Sequence, residues 1–434
     1  GADPRGSAAA MAALGSSPRF AALTRALSHR NARIFFASSL LSWTGLWMHR
    51  VAVIWLAWEL TGSSSWVGLV AFCDLIPAVV VSPLAGAMAD RVDRMRLTMV
   101  AQLGIAAQAA TLGLLAATGL LGIATLLVFE LAGGMAQSFA QPARQTLVPA
   151  VVPPADLPAA VALNSLCFNV ARFIGPALAG PLIAVYGPAP AILFNASAYV
   201  VATLTVPMLA VAQTERRGHA GRGSLLGDVL AGLRYAARHP GLGPVLGLAA
   251  AVALLVRGVQ EILPPYVERL FGMGVQGLAM LTGAFGIGAL VAGVLLASRG
   301  RLAGTTRISN LAIAGQGLAL MGFVATGWFP FGVFCAGLLG AVSSVHGIAA
   351  QTLAQSASDP AMRGRVLSLW GLIVRVFPAL GALILGLLGE AFGLRWPTII
   401  AALLALVVFG LGMLCLPRME AALEGPPPQG TGRG

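Results

Sequence analysis

Seven ionisable residues, Arg50, Asp74, Glu130, Arg172, Arg257, Glu261 and Arg375, fall inside stretches otherwise apolar enough to cross a bilayer, with His346 a weaker eighth. At bilayer depth a charged side chain costs at least ~2.5 to 3.5 kcal/mol on insertion scales, so each needs a partner or a task. Arg50 and Asp74 each lie twelve residues from residue 62, the centre of the hairpin between the first two apolar segments, so they share a depth and an ion pair fits. Arg257 and Glu261 stand four apart, on one helix face. Glu130 and Arg172 have similar depths in neighbouring segments and form a third candidate pair.

Burial favours a neutral carboxyl and a nearby arginine favours the charged form, so Asp74 and Glu130 could switch between protonated and paired states. A proton moving through 100 mV brings ~2.3 kcal/mol, comparable to the ~1 to 3 kcal/mol of typical coupling between sites. The other reading of both residues is a static ion pair that fixes helix register, and Glu261, near the end of its segment, could simply be solvated. Trp43 and Trp47 share a face with Arg50 and could offer flat apolar surface to a ring-bearing ligand, or else pack internally or meet lipid.

Enzymatic chemistry finds no support: no H-E-x-x-H, G-x-S-x-G or P-loop pattern occurs, and no cofactor is implied. His346 has no Cys or Asp at metal spacing, and Cys73, Cys167, Cys335 and Cys415 all sit in apolar segments, so neither a metal site nor a disulfide is expected.

The elements that must position these groups are membrane helices. The 434-residue chain is 58% hydrophobic and 10% charged, whereas soluble domains carry roughly 25% charged residues. Twelve apolar stretches, each near the ~20 residues a crossing needs, run over 34–58, 66–88, 97–118, 121–141, 159–185, 189–212, 243–263, 275–297, 308–326, 331–354, 366–389 and 397–416. The expected organisation is a tail over 1–30, of which the first ~10 residues before Met11 read as an expression remnant, six-helix bundles over 31–212 and 243–416, a linker over 213–242, and a flexible tail over 417–434. Leu225, Leu226, Val229, Leu230 and Leu233 in the linker have the spacing of an amphipathic surface helix.

All 27 basic residues are arginines, giving net +12. They lie between apolar segments rather than in one stripe, so nucleic acid is not the expected partner. Alternate loops hold 21 of them against Arg269 and Arg395 on the other side, which places both termini in the cytoplasm. The halves also repeat: a shift of 206 residues lays Gln145, Thr146, Leu147, Gly180 and Gly187 on Gln351, Thr352, Leu353, Gly386 and Gly393, with the triplet expected in equivalent loops. Two such halves about a midplane site form one known carrier layout.

The loop after the second segment reads Gly86, then Asp90, Arg91, Asp93, Arg94 and Arg96, and here the chain resembles the major facilitator superfamily, whose signature is G-x-x-x-D-R-x-x-R. A weaker counterpart keeps Gly293, Arg299 and Arg301. The segments ELTGSS, VSPLAG, ADRVDR, QPARQTLVP, ALNSLCFNVARFIGPALAG and MRGRVLSL resemble the drug:proton antiporter-3 branch, which includes macrolide effluxers and the enterobactin exporter.

The resemblance implies an all-α membrane protein of twelve transmembrane helices in two pseudo-symmetric six-helix bundles. It further implies a cytoplasmic gate at Gly86, Asp90, Arg91 and Arg94, and an antiporter-like motif at Gly175, Pro176 and Gly180, where Ala179 replaces a glycine. Segments 1, 4, 7 and 10 would line the cavity, which puts Trp43, Trp47, Arg50, Glu130, Arg257, Glu261 and His346 on it.

The expected activity is proton-coupled export of an amphipathic compound by a monomer in the bacterial inner membrane. A lysophospholipid flippase or siderophore permease of the same fold is the alternative. Four intramembrane arginines against three carboxylates suit an acidic ligand; a lipophilic cation would need the carboxylates free.

Overall fold

The computed structural model describes residues 18–79, 81, 93–209, 225–299, 303–359 and 362–424. Gly86, Asp90 and Arg91 of the expected gate lie outside these residues, and Arg94 is described in its backbone only. No strand occurs among the described residues.

Long helices account for nearly the whole fold. They are α1 (Arg30–Thr61), α2 (Ser64–Leu75), α3 (Arg94–Ala117), α4 (Ile123–Gln145), α5 (Leu157–Tyr186), α6 (Ala189–Thr205), α7 (Leu242–Glu261), α8 (Gly274–Arg299), α9 (Thr305–Ala325), α10 (Phe329–Ser356), α11 (Arg363–Phe392) and α12 (Arg395–Leu423). Ten of them, α3 to α12, are long and apolar enough to cross a membrane. The apolar helix around α2 is shorter, Ser64–Val79, and α1 has 32 residues. The chain is a multi-pass membrane protein.

Local chemistry sets the ends. Gly62 closes α1 in the left-handed conformation, φ +59°, and donates its N–H to the Trp58 carbonyl at 2.7 Å. Asp93 caps α3 by accepting the Arg96 N–H at 2.8 Å. The N-terminal helix Pro18–Ser28 is tied to the start of α5, where Asp156 accepts from Arg25 Nε at 2.6 Å and lies 3.0 Å from His29 Nε2.

Helix α7 is irregular: a π-helical turn covers Ala253–Arg257, and the helix breaks at Ile262 (φ −125°, ψ 41°) before a short helical run over Leu263–Tyr266. Such turns re-aim side chains and are frequent at functional sites.

Two of the expected boundaries need correction. The Gln351-Thr352-Leu353 triplet lies within α10 rather than in a loop, whereas Gln145 ends α4 and Thr146 and Leu147 form the turn after it; each Thr hydroxyl bonds back to its own helix, on Ala143 and Ile348. Helix α12 runs on to Leu423, since Met419 and Leu423 are buried; the tail is not free from 417. The linker helix covers Leu225–Arg238 and packs on α11 through Gly232 and Arg365, with Leu230 and Leu233 exposed.

The apolar core is uneven along the helices. Toward the α1–α2 turn, one continuous cluster joins both halves of the chain, from Val51, Val67 and Ile192 to Val259, Leu281, Phe323 and Leu385. At the opposite end the halves have separate clusters. One gathers Phe35, Phe36, Leu147, Val151 and Leu163; the other gathers Leu246, Leu353, Val366, Trp370 and Met419.

Candidate functional site

Between these regions lies a cavity of about 470 Å³, walled by α1, α2, α4 and α5 of the first half and α7, α8, α10 and α11 of the second. That volume falls within the range of small-molecule pockets. Arg50, Asp74, Arg172, Arg257, Glu261 and Arg375 all line it, so six of the seven charges expected within the apolar segments converge on one space.

Arg50 is the hub. Its Nε and Nη2 donate to Asp74 Oδ2 at 3.1 and 2.8 Å, the pair that the hairpin register predicts. Its Nη2 also lies 3.7 Å from Glu261 Oε2, which links α1 and α2 to α7 across the two halves. The guanidinium groups of Arg50 and Arg172 sit 5.4 and 5.3 Å from the Trp47 ring, within cation–π reach. Trp47 is held from behind by α5, where a Cβ at Gly175 would lie 2.5 Å from the Trp47 Cβ.

Four residues depart from expectation. Glu130 does not line the cavity and does not pair with Arg172; it is 4% exposed, 3.1 Å from His49 Nε2 and 3.4 Å from Gln108 Nε2. The reason is azimuth. Consecutive residues on a helix point about 100° apart, so α1 aims Arg50 into the cavity and His49 toward α4. Trp43 also leaves the cavity wall, covered by the Arg144 guanidinium at 4.6 Å and by the edge of Phe168 at 5.4 Å.

His346 turns toward α9 instead, with Nδ1 3.1 Å from both Oγ and O of Ser309. Glu261 is not simply solvated: although it shares the cavity with Arg257 as the four-residue spacing implies, its ion partner is Arg50, since the π turn and the break at Ile262 take α7 out of regular register.

Other groups were missed. His49 carries no periodicity signal beside the more conspicuous Arg50. Arg144, read as a loop arginine, is 6% exposed and donates to Ser42 Oγ at 2.8 Å. Gln137, Gln141, Gln260 and Gln351 supply neutral hydrogen-bonding groups to the wall; their polarity within apolar segments was the available signal. In α5, Gly175 meets Trp47 and Thr44 of α1, Pro176 is buried, and Gly180 abuts Ala279 of α8, so the motif seals α5 between two neighbours.

A clasp closes the α1–α2 end. Glu390 Oε2 on α11 accepts from the Ser64 N–H at 2.9 Å, lies 3.0 Å from Ser64 Oγ and takes a bond from Arg269 Nη2 at 3.2 Å. The same Arg269 nitrogen donates to the Gly62 carbonyl at 3.0 Å. Groups from both halves thus meet at one carboxylate.

A profile of the transmembrane secretion effector family, a branch of the major facilitator superfamily, matches residues 21–427. The chain belongs to this family. Its members and relatives are transporters, not enzymes.

Among the chain's relatives, the staphyloferrin A transporter of Staphylococcus aureus (strain NCTC 8325 / PS 47) is 25% identical over 365 residues, covering 83% of this chain and 90% of that one. The multidrug efflux pump Tap of Mycolicibacterium fortuitum is 26% identical over 382 residues, covering 85% and 91%. The crystal structure of a bacterial homologue of the human lysosomal transporter Spinster, inward-facing and unoccupied, superposes with a TM-score of 0.73 at 14% identity, covering 92% of this chain and 99% of that one. This last likeness is one of fold.

Proposed function

We propose that this secretion-effector transporter exports amphipathic small molecules in exchange for protons, by alternating access of the central cavity. The observation that carries the reading is the Arg50–Asp74–Glu261 network, which places two ionisable carboxylates in the cavity and links the two halves. Protonation of either carboxylate weakens its hold on Arg50 and so alters a contact between halves. Proton binding thereby favours one cavity orientation over the other.

The frame for this cycle is twelve crossings in two six-helix bundles, counting α1 and α2 with the ten apolar helices α3 to α12. Both termini lie in the cytoplasm of a bacterial inner-membrane monomer, and the gate around Gly86, Asp90, Arg91 and Arg94 closes the cytoplasmic side. The buried Glu130–His49 pair is the second proton station in this scheme, one helix face away from the cavity. Glycines 175 and 180, with Pro176, let α5 seal and rock against α1 and α8.

Efflux from proteoliposomes under an imposed pH gradient tests the coupling. Wild type should concentrate substrate against its gradient, Asp74→Asn should lose gradient dependence, and Glu130→Gln should reduce it. Gradient-driven efflux unchanged in both variants would end the assignment.

The second reading, a siderophore permease or lysophospholipid flippase of the same fold, draws support from the likeness to a staphyloferrin A transporter. Growth on a drug panel compared with uptake of labelled lipid or iron chelate separates the readings.

A further inference from the structure

Both cavity carboxylates are engaged by one cation: Asp74 and Glu261 both face Arg50. Arg172, Arg257 and Arg375 line the same space, and among the described residues none of the three has a carboxylate within ion-pair distance. Four guanidinium groups against two carboxylates leave the cavity wall with a formal excess of two positive charges. Part-buried guanidinium groups with no carboxylate partner make the wall electropositive and attract anions, so a ligand can supply the two counter-charges that the wall lacks. A cationic ligand would meet three unshared arginines and two carboxylates already occupied.

The arrangement also has direction. Arg172 stands on α5 of the first half, beside the Trp47 ring, whereas Arg257 on α7 and Arg375 on α11 belong to the second half. An anion carrying charge at two places can bind both halves at once while its ring or chain lies on Trp47. Each guanidinium is a five-donor fork suited to carboxylate or phosphate.

Resting on the transporter reading above, we infer that the substrate is an amphiphilic anion bearing at least two negative charges. Its carboxylate or phosphate groups are held between Arg172 on one side and Arg257 and Arg375 on the other.

Four probes built on one ring decide the class: 2,6-naphthalenedicarboxylate, 2-naphthoate, 2-naphthalenemethanol and 2-naphthylmethylammonium. A fifth, lysophosphatidate, represents a lipid source of the same charge. Binding is read on the purified full chain in detergent, by thermal stabilisation and by tryptophan fluorescence, with no gradient present.

The expected order is dicarboxylate above monocarboxylate, with the alcohol and the ammonium far weaker and affinity falling with added salt. Arg257→Gln and Arg375→Gln should each weaken the dicarboxylate about tenfold to a hundredfold, Arg257→Lys should recover part of the loss, and the exposed Arg395→Gln should change nothing. Each variant is first checked for wild-type elution and ligand-free melting, and the lysine variant keeps the test valid if a glutamine variant fails that check.

Binding of the dicarboxylate without lysophosphatidate assigns a soluble polycarboxylate, and the reverse assigns a phospholipid; both support the anion class. Three results overturn it: ammonium or alcohol binding as tight as the dianion, no anion binding at millimolar concentration, or glutamine variants that bind the dianion like wild type. Because no gradient enters the assay, its failure with pH-driven efflux intact removes the ligand class and leaves the transporter reading standing.

Discussion

Arg50 and His49 are neighbours in sequence with opposite surroundings. Arg50 faces two carboxylates and Trp47 on the cavity wall, while His49 is sealed against Glu130 with 6% and 4% of their surfaces exposed. His49→Ala would strand Glu130 with a single neutral partner, Gln108, and a buried polar group left short of partners costs about 1 to 3 kcal/mol. We expect a clear fall in melting temperature for His49→Ala, largely recovered in His49→Ala/Glu130→Gln; strictly additive losses would show that the two groups do not act as a pair. Depth was legible in the sequence at this scale, because a hairpin fixes it, and Arg50 with Asp74 was readable for that reason. Azimuth was not: Glu130 and Arg172 share a depth, but side chains at one depth still point to different neighbours. His346 and Trp43 were misplaced on the same account.

At the scale of helices, the 206-residue repeat has structural counterparts. Gly187 and Gly393 end α5 and α11 with φ of +77° and +76°, and Gly180 and Gly386 are the points where α5 abuts α8 and α11 abuts α2. A Cβ at either contact glycine would overlap the neighbouring helix, at Ala279 and at the Ser64 carbonyl. Gly180→Val and Gly386→Val should therefore each destabilise by about 1 to 3 kcal/mol, whereas Gly410→Ala on α12, with open space around it, should be neutral or slightly stabilising. Equal melting temperatures for all three would contradict the close approach.

The start of α7 adds a pH signature. His239 Nδ1 accepts the Gly241 and Leu242 N–H groups at 3.2 Å, and burial pushes the ring's pKa below its usual value, partly offset by Asp359. A depressed histidine pKa contributes stability that is present above the unfolded-state pKa and lost as pH falls through the folded one. Wild type should lose stability as pH falls below the ring's ordinary value of 6.5, and His239→Asn, which can accept the same bonds without titrating, should lose less; identical losses would remove the cap. The apolar segments were readable to within a few residues because hydrophobic length is a one-dimensional property. The π turn in α7 and the extension of α12 to Leu423 were not, since packing against the other helices decides them.

Across the whole molecule the core is shared by both halves at the α1–α2 end and divided at the other. The clasp on Glu390 reinforces the closed end. Two halves that meet at one end and part at the other are what a rocking carrier presents in one of its two states, and weakening the closed end should populate the second. The most direct test is a pair of electron–electron distances in a cysteine-free background, with labels at Leu60 and Phe392 for the closed end and at Val161 and Thr352 for the other. On Glu390→Gln, or on acidification of the wild type, the first distance should lengthen while the second shortens in the same fraction of molecules. Distances that stay fixed, or that change at one end without the other, would contradict alternating access.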